Sequence, residues 1–370
     1  MSRQPFVDLA AQYRELRDEI LPEVERILAA GTFIGGEPLA RFEAAFAALC
    51  GVPHAVGVAN GTDALHLALR ALEVAPGDEV ITVPNTFVAT VEAIVQAGAR
   101  AVLVEVRPDT LVMDTAALDA ARTPRTRAVI PVHLYGRMAE VDLIERWCAE
   151  RGIALLEDAA QAHGARLRGR RAGAFGDAGS FSFYPAKNLG AAGEAGAVVT
   201  RRPAVAARVA QLRDHGQGER YHHDLVGYNS RLDALQAAVL SVKLKRLDGW
   251  NARRRALAAV YDQRLAKVEG VEPLPAPAAS QPESHVYHLY VVRVAERDRL
   301  RAALTARGID TGLHYPVPVH LQPAFRDLGY GEGAFPVSEA AARSVLSLPI
   351  YPEMTEDAVH RVCDAIEACA

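Results

Sequence analysis

The spacing of apolar positions changes several times along the chain, and each change predicts a different element. Helical spacing covers residues 8–30, ends at Gly31 and resumes over 37–50. Seven short β-rich runs then alternate with mostly helical segments. These runs cover 55–59, 79–83, 101–106, 127–132, 153–157, 179–183 and 196–200. Apolar strands that alternate with helices indicate a sheet with both faces covered. We therefore predict a large α/β domain whose seven-stranded sheet is mainly parallel.

A different pattern begins after this domain. Residues 230–267 form one long, mostly helical stretch, and four prolines in VEPLPAPAASQPES interrupt the chain after it. The remainder, 284–370, combines a strand, a helix, a proline-rich loop and two further helices. This arrangement predicts a large domain at 1–250, which includes the N-terminal helix, and a small α+β domain at 251–370.

Composition and charge narrow the classes of function. Of 370 residues, 50% are hydrophobic and 23% are charged, and the net charge of −4 gives no general attraction to nucleic acid or anionic membranes. The four cysteines lie far apart without a CxxC pair, and neighbouring histidines would point apart in an extended chain, so we expect reduced thiols and no metal site. The N-terminal stretch lacks the apolar core of a signal peptide, and no apolar run approaches membrane-spanning length. We expect a cytoplasmic protein.

One lysine stands out in the stretch AGSFSFYPAKNLGAAGE, residues 178–194. The apolar strand SFSFY leads into Pro185 and Lys187, and no other charge follows until Glu194. Apolar surroundings desolvate an amine and lower its pKa, which a nucleophilic lysine needs near neutral pH. Such lysines form Schiff bases with carbonyls, most often with that of pyridoxal phosphate. A surface lysine after a strand is the alternative from this stretch alone.

Three further features are compatible with a phosphorylated, planar cofactor. Residues 60–63, Asn-Gly-Thr-Asp, precede a helix and offer N–H groups and a hydroxyl to a phosphate, or merely cap that helix. Asp158 ends the strand IALLE, where a carboxylate would pair with a pyridinium nitrogen, bind a metal or cap a helix. Phe87 follows the strand EVITV and would stack on a ring or pack in the core.

Taken together, the motifs resemble one family. GTDAL, NTFVAT, EDAAQAHGA, SFSFYPAKNLGAAGE, GYNSRLDALQAAVL and HYPVPVHLQ occur in the order found in the DegT/DnrJ/EryC1/StrS sugar aminotransferases, which are fold-type-I pyridoxal phosphate enzymes. The resemblance covers about residues 6–368. It implies an aspartate-aminotransferase-like large domain, and it implies that the chain moves an amino group from L-glutamate to a keto sugar linked to a nucleotide.

The resemblance also implies roles for individual residues. Lys187 would hold pyridoxal phosphate covalently and Asp158 would pair with the pyridine nitrogen, with pyridoxamine phosphate as the intermediate form of the cofactor. The other expected cofactor contacts are Gly61, Thr62, Asp63 and Ser182 at the phosphate, Phe87 and Gln161 at the ring, and Asn229, which would reach the phosphate in the partner subunit. The expected substrate contacts are Tyr184, Arg231, His314 and Tyr315. Arg231 is the candidate for a substrate carboxylate, and a helix-surface arginine is its alternative.

Several consequences follow from this resemblance. The role of Asn229 implies a homodimer with shared active sites. Lys187 favours transamination, because the related dehydratases carry histidine there. The sequence around Lys187 is most similar to members that act at carbon 3 of a hexose, which predicts a dTDP-linked 3-keto-6-deoxyhexose as substrate. UDP- or GDP-linked sugars, 4-keto sugars, aminocyclitols and a non-catalytic regulatory role are the alternatives. Glu194 and Ala195 depart from the loop GDGG of many relatives, which leaves the fit of the sugar open.

Overall fold

The computed structural model describes residues 3–369, so Met1, Ser2 and Ala370, the ends of the two predicted domains, lie outside the described residues. Its α-helices are α1 (Leu9–Ala30), α2 (Gly36–Cys50), α3 (Gly61–Ala71), α4 (Ala89–Gln96), α5 (Leu118–Ala121), α6 (Val141–Arg151), α7 (Pro203–Arg213), α8 (Ala234–Leu244), α9 (Leu247–Leu265), α10 (Arg297–Ala306), α11 (Pro336–Ser344) and α12 (Glu356–Glu367). Its strands are β1 (His54–Val58), β2 (Glu79–Thr82), β3 (Arg100–Leu103), β4 (Thr126–Val129), β5 (Ala154–Asp158), β6 (Arg166–Leu167), β7 (Arg170–Arg171), β8 (Ala178–Ser182), β9 (Gly196–Thr200), β10 (Gln217–Glu219), β11 (His222–His223), β12 (Val271–Pro273), β13 (Tyr290–Val294) and β14 (Val345–Leu348).

The central sheet has seven strands in the order β1-β9-β8-β5-β4-β2-β3. Only β9 runs antiparallel to its neighbours, and every other neighbouring pair is parallel. On β9, Val198 packs into one hydrophobic cluster while Ala197 and Val199 pack into another on the opposite face. Both faces are therefore covered, which explains why the strands are apolar at nearly every position. The predicted mainly parallel sheet is confirmed.

The long helical stretch predicted at 230–267 is two helices, since α8 ends at Leu244 and α9 begins at Leu247. Trp250, near the start of α9, packs with Leu16 of α1 and Val239 of α8. Farther along α9, Leu257 joins a separate cluster with β13, β14 and α12. The predicted domain boundary at residue 250 thus falls inside one continuous helix, and the division into two domains stays a prediction.

The C-terminal part contains a three-stranded antiparallel sheet, β12-β13-β14, where the sequence pattern predicted one strand. The two additional strands, β12 and β14, have three and four residues, which is too short for a clear alternating pattern. The N-terminal segment joins this part of the chain, because Gln4 forms a β-bridge with Ile309. No helix within residues 3–369 combines the length and apolarity needed to cross a membrane.

One edge of the central sheet gathers the predicted site residues. Residues 60–63 follow β1, Phe87 follows β2, Asp158 ends β5 and Ser182 ends β8. These four strands run in the same direction, so their carboxyl ends meet at a single edge, where open α/β sheets bind ligands.

Candidate active site

A cavity of about 770 Å³ opens at this edge of the sheet. Every predicted site residue except Asn229 and Arg231 lines it. The lining residues from that prediction are Gly61, Thr62, Asp63, Phe87, Asp158, Gln161, Ser182, Tyr184, Lys187, His314 and Tyr315. The cavity also contains residues that the sequence did not indicate, chiefly Phe6, Thr86, Thr90 and His288, together with Glu194 from the loop after the lysine.

Lys187 lies half-buried in the tight loop that follows β8. Its backbone N–H donates to Tyr184 O at 2.8 Å, and a Cβ at Gly190 would lie only 2.1 Å from Pro185 O, so the loop closes only with glycine there. The Nζ of Lys243 on α8 donates to Gly190 O at 2.8 Å and holds the loop. Burial lowers the pKa of Lys187 to about 8, while the negative charge of Asp158 opposes that change. An amine with this pKa is neutral in about a tenth of the molecules at pH 7, and this neutral form is the nucleophile.

Asp158 is a buried carboxylate at the end of β5. Its Oδ2 accepts a hydrogen bond from Thr90 Oγ1 at 2.8 Å, and its Oδ1 accepts from Ala160 N at 3.2 Å. Burial raises the pKa of Asp158, while these two hydrogen bonds and the charge of Lys187 act in the opposite direction. A carboxylate held in this way can pair with a protonated ring nitrogen.

The adjacent Glu157 points away from the cavity. Its carboxylate contacts His133 Nε2 at 2.8 Å and accepts from Phe175 N at 2.6 Å, and its side chain is fully buried. Because His133 Nδ1 accepts from Ala139 N, the ring carries its proton on Nε2 and donates it to Glu157. Of the two carboxylates in the sequence Glu-Asp, only Asp158 is therefore available to a ligand.

The start of α3 forms a cradle for an anion. A Cβ at Gly61 would lie 2.5 Å from the Cβ of Ser182, so glycine is required for this close approach of helix and strand. The N–H groups of Gly61 and Thr62 begin the helix, where backbone donors and the helix dipole favour a phosphate. The groups of Asp63 bond within the protein instead of facing a phosphate. Its N–H donates to the Asn60 side chain at 2.8 Å, and its carboxylate accepts from Ser230 Oγ at 2.6 Å.

Aromatic and amide groups form the other walls. The ring of Phe87, 52% exposed, lies 5.5 Å from that of Tyr315. Gln161 is fixed at both ends, because its Oε1 accepts from Tyr135 N at 2.6 Å and its Nε2 donates to Tyr315 Oη at 3.0 Å. Because the ring of Phe87 is exposed to the cavity, a planar ligand could stack on it.

His314 forms a wall together with the N-terminal segment. Its Nδ1 lies 2.9 Å from Ser347 Oγ, and the ring of Phe6 stacks on it at 5.8 Å. Burial lowers the pKa of His314 to about 4, so its ring is neutral at physiological pH. The exposed Tyr184 lines the same cavity.

Asn229 and Arg231 lie outside the cavity of this chain. Asn229 is exposed, and the Arg231 guanidinium forms an ion pair with Asp214 at 2.6 Å. The neighbouring Ser230 is buried and bonded to Asp63, so Asn229 is presented on the surface next to the cradle. Their assigned roles stay predictions.

Two of the cavity residues that were not predicted, Thr86 and Thr90, could have been found from the sequence. Thr86 and Thr90 belong to the motif NTFVAT and are spaced by four, which places two hydroxyls on one side of a helix start. Phe6 carried no such signal, since its partner His314 belongs to the other end of the chain.

The residues present fit pyridoxal phosphate. The start of α3, which the absence of a Cβ at Gly61 allows to approach Ser182, suits its phosphate. Phe87 suits its ring, Asp158 suits its nitrogen and Lys187 suits its aldehyde. This match includes the phosphate, the ring nitrogen and the aldehyde of the molecule and its planar face.

Known proteins resemble this chain over nearly its full length. The model of the DegT/DnrJ/EryC1/StrS aminotransferase family matches residues 14–367. The chain is 49% identical over 368 residues to the dTDP-3-amino-3,4,6-trideoxy-alpha-D-glucose transaminase of Streptomyces venezuelae, which covers 100% of this chain and 96% of that protein.

Two solved structures extend the comparison. The crystal structure of DesV from S. venezuelae in complex with a ketimine intermediate has a TM-score of 0.96 at 48% identity and covers 100% of this chain and 98% of that one. The structure of NtdA from Bacillus subtilis with the bound cofactor PMP has a TM-score of 0.91 at 30% identity. The match covers 99% of this chain and 85% of that one. The predicted aminotransferase fold is confirmed.

Proposed function

The chain belongs to the DegT/DnrJ/EryC1/StrS aminotransferase family, and we propose that it moves an amino group from L-glutamate to carbon 3 of a dTDP-linked keto sugar. The observation that carries this proposal is the placement of the Lys187 amine and the Asp158 carboxylate in one cavity with an anion cradle. The S. venezuelae relative, named for a dTDP-linked 3-amino sugar, supports the choice of nucleotide and carbon. UDP- or GDP-linked sugars, aminocyclitols and carbon 4 are the alternatives.

The aminotransferase family and its PMP-bound member imply a pyridoxal phosphate or pyridoxamine phosphate cofactor. We propose that Lys187 holds it covalently, with Gly61, Thr62 and Ser182 at its phosphate. Asp63 would act by keeping Ser230 in place, because its own N–H and carboxylate are engaged. When bound, the cofactor supplies a ring that withdraws electrons from the carbon that loses a proton.

Lys187 would move the protons of the reaction. A pKa of about 8 leaves its Nζ partly neutral at physiological pH, so it can add to a carbonyl carbon. Once free, the same Nζ can take the proton from the α-carbon of L-glutamate and, in the second half-reaction, deliver one to carbon 3 of the sugar. Asp158, held by Thr90 and Ala160, would keep a proton on the ring nitrogen.

The proposed contacts to the sugar are neutral groups, whereas the proposed contact to the glutamate carboxylate is an arginine. Tyr184, Tyr315 and the neutral His314 offer hydrogen bonds to sugar hydroxyls without a net charge. Arg231 remains the candidate for the glutamate carboxylate, and it would have to share or leave Asp214 to bind it. Guanidinium binds carboxylate through two parallel hydrogen bonds, which gives this role its chemical basis.

We also propose a homodimer in which Asn229 reaches the phosphate bound by the partner subunit. The exposure of Asn229 supports this arrangement only in so far as its side chain is available to a partner subunit. A cytoplasmic location stays a prediction.

The test is the visible absorption of the purified protein loaded with pyridoxal phosphate. We expect a band from the Schiff base at Lys187, loss of that band with L-glutamate, and no such band in Lys187→Ala. Keto sugars that differ in nucleotide and in the position of the carbonyl are then compared for their ability to restore the band. Absence of the band in the loaded wild type would refute the role of Lys187. A band that L-glutamate leaves unchanged would point to another donor or to a regulatory protein.

A further inference from the structure

A short chain of hydrogen bonds lies behind Asp158. Thr90, in the first turn of α4, places its Oγ1 2.8 Å from Asp158 Oδ2 and 2.7 Å from Thr86 Oγ1. All three side chains are buried, with exposures of 0% for Thr90, 3% for Thr86 and 6% for Asp158. Water therefore competes little for these groups, and their hydrogen bonds persist in one arrangement.

The direction of these bonds follows from the number of hydrogens. An ionised carboxylate only accepts, so the single hydroxyl hydrogen of Thr90 must point at Asp158. The Thr90 oxygen is then free to accept from the hydroxyl of Thr86. Phe87 O, at 3.3 Å, is a second acceptor for the Thr90 hydrogen, but the bond to Asp158 is shorter and involves a charge. The charged state of Asp158 and the orientation of both hydroxyls are thus linked.

We propose that Thr90, supported by Thr86, is a positioning residue that keeps Asp158 ionised and fixes its carboxylate for the ring nitrogen of the cofactor. The part that concerns the cofactor rests on the proposed function, whereas the effect on Asp158 belongs to the protein alone. Burial disfavours the charged carboxylate, and its two donors, Thr90 and Ala160, use one oxygen each and so set its orientation. The other titratable groups that face Asp158 are Lys187, His133 and Tyr315.

The variant Thr90→Val removes the hydroxyl and keeps the branched shape. Thr82→Val is the matched control, because Thr82 is equally buried and donates one hydrogen bond, to Ile130 O at 2.9 Å, away from Asp158. The measurement is the pKa of Asp158 in the full-length protein freed of cofactor, by NMR of isotope-labelled aspartate, with the resonance assigned from Asp158→Asn.

We expect Thr90→Val to raise the pKa of Asp158 by about 1 to 2 pH units, because the charged carboxylate loses one hydrogen bond. Thr90→Ser keeps the hydroxyl, so the pKa of Asp158 should equal that of the wild type. Thr82→Val should also leave the pKa of Asp158 unchanged. Thr86→Val should raise it by less. In the loaded protein, Thr90→Val should release pyridoxal phosphate about tenfold faster than the wild type.

An unchanged pKa of Asp158 in a folded Thr90→Val protein would overturn the proposal, and so would equal effects of Thr90→Val and Thr82→Val. If Thr90→Val does not fold, the pKa of Asp158 is measured in Thr86→Val instead. A wild-type pKa of Asp158 in that variant would refute the proposal. The cofactor-free titration is independent of the reaction. A raised pKa together with a protein that ignores L-glutamate would refute the proposed function and leave the effect of Thr90 on Asp158 standing.

Discussion

Replacing Lys187 by methionine should make the cofactor-free protein more stable at neutral pH. The pKa of this lysine falls from 10.5 to about 8 because burial disfavours the ammonium form. A change of one in a pKa corresponds to about 1.36 kcal/mol, so the lowering from 10.5 to about 8 means that the charged side chain destabilises the folded state by about 3 to 4 kcal/mol at most. Lys187 is only half-buried, and Asp158 would lose its opposite charge in the variant. We therefore expect a net gain of about 1–2 kcal/mol in the free energy of unfolding.

The pH dependence of this gain has a definite sign. Well below pH 8 the amine is mostly protonated in both the folded and the unfolded chain, so the folded protein carries nearly the full destabilisation. Between pH 8 and 10.5 the unfolded chain binds a proton that the folded one has released, and the stability of the wild type rises relative to the variant. The advantage of Lys187→Met should therefore be greatest at pH 6–7 and shrink steadily above pH 8.

Lys243 provides the control. Burial lowers the pKa of Lys243 to about 8 as well, but its Nζ donates to Gly190 O at 2.8 Å. Lys243→Met removes the charge and leaves that buried carbonyl without its donor, so we expect no gain or a loss of about 1 kcal/mol. Unfolding in urea at several pH values measures both variants. If Lys187→Met is no more stable than the wild type at pH 7, or if its advantage does not shrink above pH 8, the assignment of Lys187 as a desolvated amine is wrong.

Three further predictions concern the site. Asp158→Asn should slow the bleaching of the visible band by L-glutamate about a hundredfold or more, as stopped-flow absorption would show. Gly61→Ala should weaken cofactor binding at least about tenfold in equilibrium dialysis, because its Cβ collides with β8, whereas Gly249→Ala meets nothing within 4 Å and should bind normally. Phe6→Leu removes the ring stacked on His314, so the KM for the keto sugar should rise about threefold to tenfold, with a smaller change in the KM for L-glutamate. A Gly61→Ala protein with full affinity, or equal changes in both KM values for Phe6→Leu, would contradict these assignments.

The sequence by itself determined the sheet and most of the residues around the cavity. Parallel strands that are buried on both faces must be apolar along their length, so the seven strands were visible as short runs. The candidate residues Phe87, Asp158 and Lys187 follow or end such strands within contiguous motifs. Because the carboxyl ends of parallel strands meet at one edge, their place in the chain was compatible with one shared site, and the resemblance to a known family selected that interpretation from the alternatives.

Only the tertiary structure decided which groups touch these residues. Thr90 and Asp158 are 68 residues apart, and no local pattern shows that one hydroxyl reaches one carboxylate. The same holds for Phe6 against His314, and for α9, which packs on one cluster near its start and on another farther along. Periodicity reports which face of an element is buried, but its partners depend on how elements from distant parts of the chain pack together. That packing also separated Glu157, turned into the core, from Asp158 in the cavity.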